Sequence, residues 1–116
     1  MIEIRVLEVE ISPYSEKLEE ICRDMVKKLT EGTEEELRKY RNVLNIEVKY
    51  GFIPEKENNR VFVYIPMLIP KVFTKIPIWG KKKIEKQIDI VMTNLKNYLK
   101  VNGLDGLNYK YRLLKS

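Results

Sequence analysis

The sequence predicts an α+β sandwich: one four-stranded, mainly antiparallel sheet with helices on one face. Three observations predict it. Apolar residues recur with a period of two in three short stretches, and a fourth short stretch is apolar on both faces. They recur every three or four residues in two longer ones. The two patterns alternate along a chain of 116 residues, the length of a single domain, and no stretch reads as a linker.

Residues 2–11 read as the first strand. Ile2, Ile4 and Val6 share one face and Leu7, Val9 and Ile11 the other, so the apolar phase flips after Val6. Such a flip predicts a bulge, or a strand whose two ends bury opposite faces. Ser12-Pro13 is a helix-start signal, with Ser15 as a rival cap. Tyr14, Leu18, Ile21, Cys22, Met25, Val26 and Leu29 then form one apolar helical stripe. Gly32 reads as its stop. Thr33 with Glu36 three positions later is a capping box, which predicts a short second helix carrying Leu37, Tyr40, Val43 and Leu44.

Residues 45–53 alternate as a half-buried strand, with Ile46, Val48, Tyr50 and Phe52 on one face. The polar run 54–59 reads as a turn. Residues 60–65 are apolar on both faces and read as a central strand hairpinned to the one before. Residues 66–80 are apolar but carry Pro66, Pro70 and Pro77, which predicts an extended arm rather than a helix or central strand. A long helix is expected from Lys81 to Asn102, with Ile84, Ile88, Val91, Met92, Leu95 and Leu99 inward and Gly103 as its stop. Asp105-Gly106 turns the chain into a last strand bearing Leu107, Tyr109, Tyr111 and Leu113. Short, right-handed connections make this order a ferredoxin-like βαββαβ sandwich with an extra short helix after the first. One face of its sheet is left free of the chain's own helices.

Composition excludes several chemistries. The chain has no histidine, which removes the usual general base and the commonest zinc ligand. A single cysteine, Cys22, rules out an internal disulfide and a CxxC site; on the apolar stripe it reads as a buried small hydrophobe. There is no GxGxxG or GxxxxGK[ST] phosphate cradle. No signal-peptide layout and no spanning apolar run is present, so a soluble, cytoplasmic protein is expected. Alanine is absent, Gln87 is the only glutamine, and lysine, glutamate and isoleucine are abundant. That usage fits a thermophile with an A+T-rich genome, archaeal or viral.

Charge is unevenly spread. Residues 1–58 hold ten Lys/Arg against fourteen Asp/Glu, and residues 59–116 hold twelve against three. A basic half points to an anionic partner, DNA or RNA, bound by counterion release. The candidate phosphate contacts are Lys71, Lys75, Lys81, Lys82, Lys83 and Lys86, extended by Lys96, Lys100, Lys110 and Arg112. Lys81–Lys83 at the start of the long helix would combine with free N–H groups there. The arm would pair subunits into a homodimer, with Phe62, Tyr64, Met67, Phe73 and Trp79 as interface residues. The alternative is a protein-interaction accessory that uses the arm and the open sheet face while the lysines only solubilise.

Two further constellations stand in the strands. Arg60, Phe62 and Tyr64 resemble, over six residues, the third-strand motif of RNA-recognition-motif domains, whose aromatics stack bases. Val61 stands where that motif has glycine, and Glu8 and Glu10 stand where the first strand would carry an aromatic, so no family is identified. Glu8 and Glu10, with Glu47, have the donor type for Mg²⁺. The competing expectation places Lys110 and Arg112 opposite Glu8 and Glu10 as cross-strand ion pairs. No catalytic residue, metal or cofactor is therefore predicted.

Overall fold

The computed structural model describes residues 1–38 and 51–114. In chain order the elements are β1 (Ile2–Ser12), α1 (Glu16–Arg38), β2 (Gly51–Glu55), a 3₁₀ turn (Lys56–Asn58), β3 (Arg60–Pro70), α2 (Val72–Lys75), α3 (Pro77–Val101) and β4 (Asn108–Leu113). The molecule is α+β, with a four-stranded antiparallel sheet in the order β2-β3-β1-β4. This architecture is compatible with the ferredoxin-like class.

β1 and β3 form the centre of the sheet and pair without interruption from Ile2↔Pro70 to Ile11↔Val61. The phase flip in β1 therefore needs no bulge. Leu7, Val9 and Ile11 are fully buried beneath the helices. Ile2, Ile4 and Val6 point to the opposite, open face, where Ile2 is 54% exposed. α1 contributes Leu18, Cys22, Met25 and Val26 to the core, and α3 contributes Ile88, Met92, Leu95 and Leu99. Each fully buried leucine or valine is worth roughly 1.5–3 kcal/mol of transfer free energy.

Several boundaries differ from the sequence-based expectation. Gly32 does not stop the first helix. α1 runs through it to Arg38, so Thr33–Glu36 lie inside this helix and not at the start of a second one. Gly32 faces open space, and one interior glycine costs only ~1 kcal/mol against a 23-residue amphipathic helix. Tyr40, Val43, Leu44 and residues 45–50 of the strand expected over 45–53, Glu47 among them, lie outside the described residues. At the other end of α1 Ser15, rather than Ser12, is the cap, its Oγ accepting the Leu18 N–H at 3.0 Å. Pro54, expected in a turn, sits in β2 opposite Val61. The strand runs two residues further than expected, to Glu55, and the hairpin closes through Asn59, which takes a left-handed φ of 56°. Its carbonyl and Oδ1 both accept the Tyr14 N–H at 3.0 Å, tying this turn to the start of α1.

The extended arm does not exist. Pro66, Met67, Ile69 and Pro70 continue β3, and Met67 and Ile69 are buried in the core. The prolines are tolerated because of the direction of the missing donor. Val6, opposite Pro66, gives its carbonyl to the Leu114 N–H on its other side. Val6 and Pro66 are thus a non-hydrogen-bonded pair, and the proline nitrogen faces away from β1. Among the described residues β2 pairs with β3 no further than Tyr64, so no ladder bond between described residues is lost there. Gln87 Nε2 donates to the Leu68 carbonyl at 3.3 Å on the side of β3 away from β1.

The long helix begins at Pro77, not Lys81. Proline at its first position has no N–H to leave unpaired, and Gly80 donates to the Ile76 carbonyl at 2.8 Å. Gly103, with φ of 87°, ends it as expected, its N–H meeting the Lys100 carbonyl and the Leu104 N–H that of Leu99.

Cys22 is fully buried on α1, and burial pushes its thiol from an ordinary value of 9.0 up to about 12. The unfolded chain loses this proton near pH 9 while the folded chain keeps it. The thiol therefore subtracts stability as pH rises from 9 towards 12 and is neutral below that window. At pH 8 a thiol reagent should label the folded protein far more slowly than the protein in denaturant; equal rates would place Cys22 at the surface.

Candidate nucleic-acid interface

α2 is a single turn that folds back on the first turn of α3. The close approach is possible because residue 80 is glycine: a Cβ there would overlap the Phe73 carbonyl oxygen. Phe73 packs partly on the core and meets Trp79 edge to face, with ring centroids 5.3 Å apart. This corner gathers Lys71, just before α2, and Lys75, its last residue, with Lys81, Lys82, Lys83 and Lys86 on the next two turns of α3. Only Lys71 is partly covered; the other five are exposed. None of the six forms an ion pair among the described residues. Residues 71–86 hold these six lysines against one acid, Glu85. The Lys83 Nζ stands 5.6 Å from the centre of the Trp79 ring.

The remaining predicted cations are elsewhere. Lys82 and Lys96 are separated by about 21 Å along α3, at 1.5 Å per residue. Lys96 Nζ lies over the Tyr109 ring at 5.2 Å, and Lys100 is one turn further on. Lys110 and Arg112 stand on the open face of the sheet, opposite Glu10 and Glu8, on the far side from the helices. The ten cations therefore form no single surface. The expectation that Lys81–Lys83 occupy a helix N-terminus also fails, because a full turn, Pro77–Gly80, precedes them. Of the predicted interface residues, Met67 is 5% exposed on the core side and is inaccessible to a partner. Phe62 and Tyr64 lie on the open face, separated by the sheet from Phe73 and Trp79 at the helical corner.

The acids of the open face are engaged by arginines. Arg112 Nε donates to Glu8 at 2.8 Å, the cross-strand pair expected from the sequence. Arg60 adds a second link that sequence reasoning misses. Its guanidinium bridges Glu10 at 2.9 Å and Glu55 at 2.6 Å and lies 4.8 Å from the Phe62 ring centre. The hydrogen bond from Arg60 holds the Glu55 carboxyl below its usual range. Part of the signal does exist in the sequence: alternation puts Arg60 on the face of Phe62, but Glu55 reads there as part of the turn, and only the extension of β2 sets it opposite Arg60. Glu8 and Glu10 are each bound to an arginine, and no group of three metal-ligating side chains exists among the described residues. The acids also spoil an RNA-stacking platform, since Glu8, Glu10 and Glu55 surround Phe62 and Tyr64.

No family model matches the chain, and no curated protein or solved structure does either. Among the described residues no helix is long and apolar enough to cross a membrane.

Proposed function

We propose that the chain is a small, non-enzymatic nucleic-acid-binding protein of the ferredoxin-like βαββαβ class, acting as a homodimer. It would hold phosphates on the corner formed by Lys71, Lys75, Lys81, Lys82, Lys83 and Lys86. The observation that carries this reading is the concentration of cations there: six lysines, one acid and no ion pair to any described residue. Lysines that only solubilise are ordinarily mixed with acids. An unneutralised cluster instead collects phosphates and releases their counterions. Trp79, 43% exposed beside Lys83, supplies a ring on which a base of a single strand can stack. No group of the corner reads a base edge, so binding is expected without sequence preference. Fluorescence anisotropy with one single-stranded and one duplex oligonucleotide in 50 mM salt tests the reading. Binding to neither would end it.

A second reading is favoured by the apolar side chains of the same corner. Ile78 is 76% exposed, and Val72 and Ile76 are each 45% exposed. A protein partner would cover these, and the lysines would ring the contact. Trp79→Ala would then abolish partner binding while lysine changes did little, the reverse of the pattern expected for nucleic acid.

A further inference from the structure

The open face of the sheet has two halves. Toward one end, Ile2, Ile4 and Val6 of β1 lie beside Pro66, Leu68 and Pro70 of β3, with Ile2 54% and Leu68 45% exposed. Toward the other end the face is charged. There the acids are Glu8 and Glu10 on β1 and Glu55 on β2, and the bases are Arg60 on β3 and Lys110 and Arg112 on β4. Among the described residues these three acids and three bases sum to no net charge, which gives no attraction for a polyanion.

Their distribution among the strands is the informative feature. Acids occupy β1 and β2; bases occupy β3 and β4. In the order β2-β3-β1-β4, a two-fold axis parallel to the strands and midway between β3 and β1 exchanges β1 with β3 and β2 with β4. Two copies stacked about that axis would place every acidic strand over a basic one. The same axis keeps position along the strands, so apolar end meets apolar end.

We infer that this face is the homodimer interface: a second copy of the chain, related by a two-fold parallel to the strands, packs sheet on sheet against it. Area supports the choice. Two central strands of 11 residues and two outer strands of five and six give a face of roughly 500–600 Å² in projection, at ~3.3 Å per residue and ~4.8 Å between strands. Side-chain relief brings this close to the ~800 Å² per partner of a standard interface. Lys110 supplies a second observation. Alone of the six charged groups, it makes no ion pair among the described residues, and the two-fold brings it toward the partner's β2, where Glu55 stands. Sheet-on-sheet packing leaves both helical layers, with their lysine corners, facing outward.

The inference deepens the homodimer named above and does not depend on nucleic-acid binding. Light scattering after size exclusion, at ~100 μM chain and low salt, should give twice the 13.9 kDa chain mass. Leu68→Glu should give a monomer with an unchanged circular-dichroism spectrum, since Leu68 is not a core residue. Lys110→Glu and Glu55→Lys should each raise the dimer dissociation constant at least tenfold, and an equimolar mixture of the two should restore dimer as a heterodimer. A monomeric wild type overturns both the homodimer and this interface. A dimer untouched by Leu68→Glu, or a mixture no stronger than its components, overturns the interface alone. Anisotropy on the Leu68→Glu monomer reports the lysine corner separately.

Discussion

Replacing Gly80 with alanine should lower the thermal midpoint by about 10 °C. The Cβ would overlap the Phe73 carbonyl oxygen outright and stand 2.6 Å from its carbonyl carbon. Both are backbone atoms, so no rotamer change relieves the clash. α2 must move off α3, and Phe73 must leave its seat against the core and Trp79. Forced repacking of this kind costs about 2–3 kcal/mol, and a domain of this size loses roughly 4 °C per kcal/mol. The higher helix propensity of alanine, worth under ~1 kcal/mol, opposes the change without cancelling it. Calorimetry of Gly80→Ala measures the drop. Gly32→Ala, where nothing lies within 4 Å, is the control and should be neutral or slightly stabilising. A midpoint for Gly80→Ala at or above that of the wild type would mean that α2 does not pack as described.

The second large effect concerns affinity. Lys82, Lys83 and Lys86 are exposed on α3 and hold no ion pair among the described residues, so changing all three to glutamine should leave the fold and its melting temperature intact. Each lysine–phosphate pairing removed takes about 0.7 off the log–log salt slope on a single strand. Three such pairings, extrapolated from 1 M to 50 mM salt, correspond to roughly a 500-fold drop in affinity at the lower concentration. Lys96→Gln with Lys100→Gln, on the far half of the helix, should cost much less. Comparable drops from the two sets would mean that anions bind α3 diffusely and that the corner has no special role.

The alternating elements are legible in the sequence; the punctuation between them is not. β1, β4 and the helical stripes follow from periods of two and of three to four, because one buried face dictates each pattern. The Glu8–Arg112 pair follows from strand alternation once β4 is set beside β1. Gly32 and the prolines mislead because their cost depends on surroundings. A glycine stops a helix only where packing does not carry the helix past it, and α1 is held by Leu18, Cys22, Met25 and Val26. A proline excludes a central strand only where its N–H is needed, and Pro66 points that position away from β1, where no described residue pairs with it. With β3 running on in place of an arm, the helix start moves back to Pro77, which takes Lys81–Lys83 away from the free N–H groups. The ten basic positions read as one surface in the sequence because separation along the chain hides which side of a sheet a strand presents. Lys110 and Arg112 belong to the open face, and only Lys71 through Lys86 share a corner.

The salt dependence of binding tests the role of that corner most directly. The dissociation constant of the wild-type chain for a single-stranded oligonucleotide should be followed from 50 to 300 mM salt, beside the Lys82, Lys83 and Lys86 triple glutamine variant. Six phosphate contacts predict a log–log slope near −4 for the wild type and near −2 for the variant. Parallel lines of equal slope, or a wild-type affinity indifferent to salt, would contradict it.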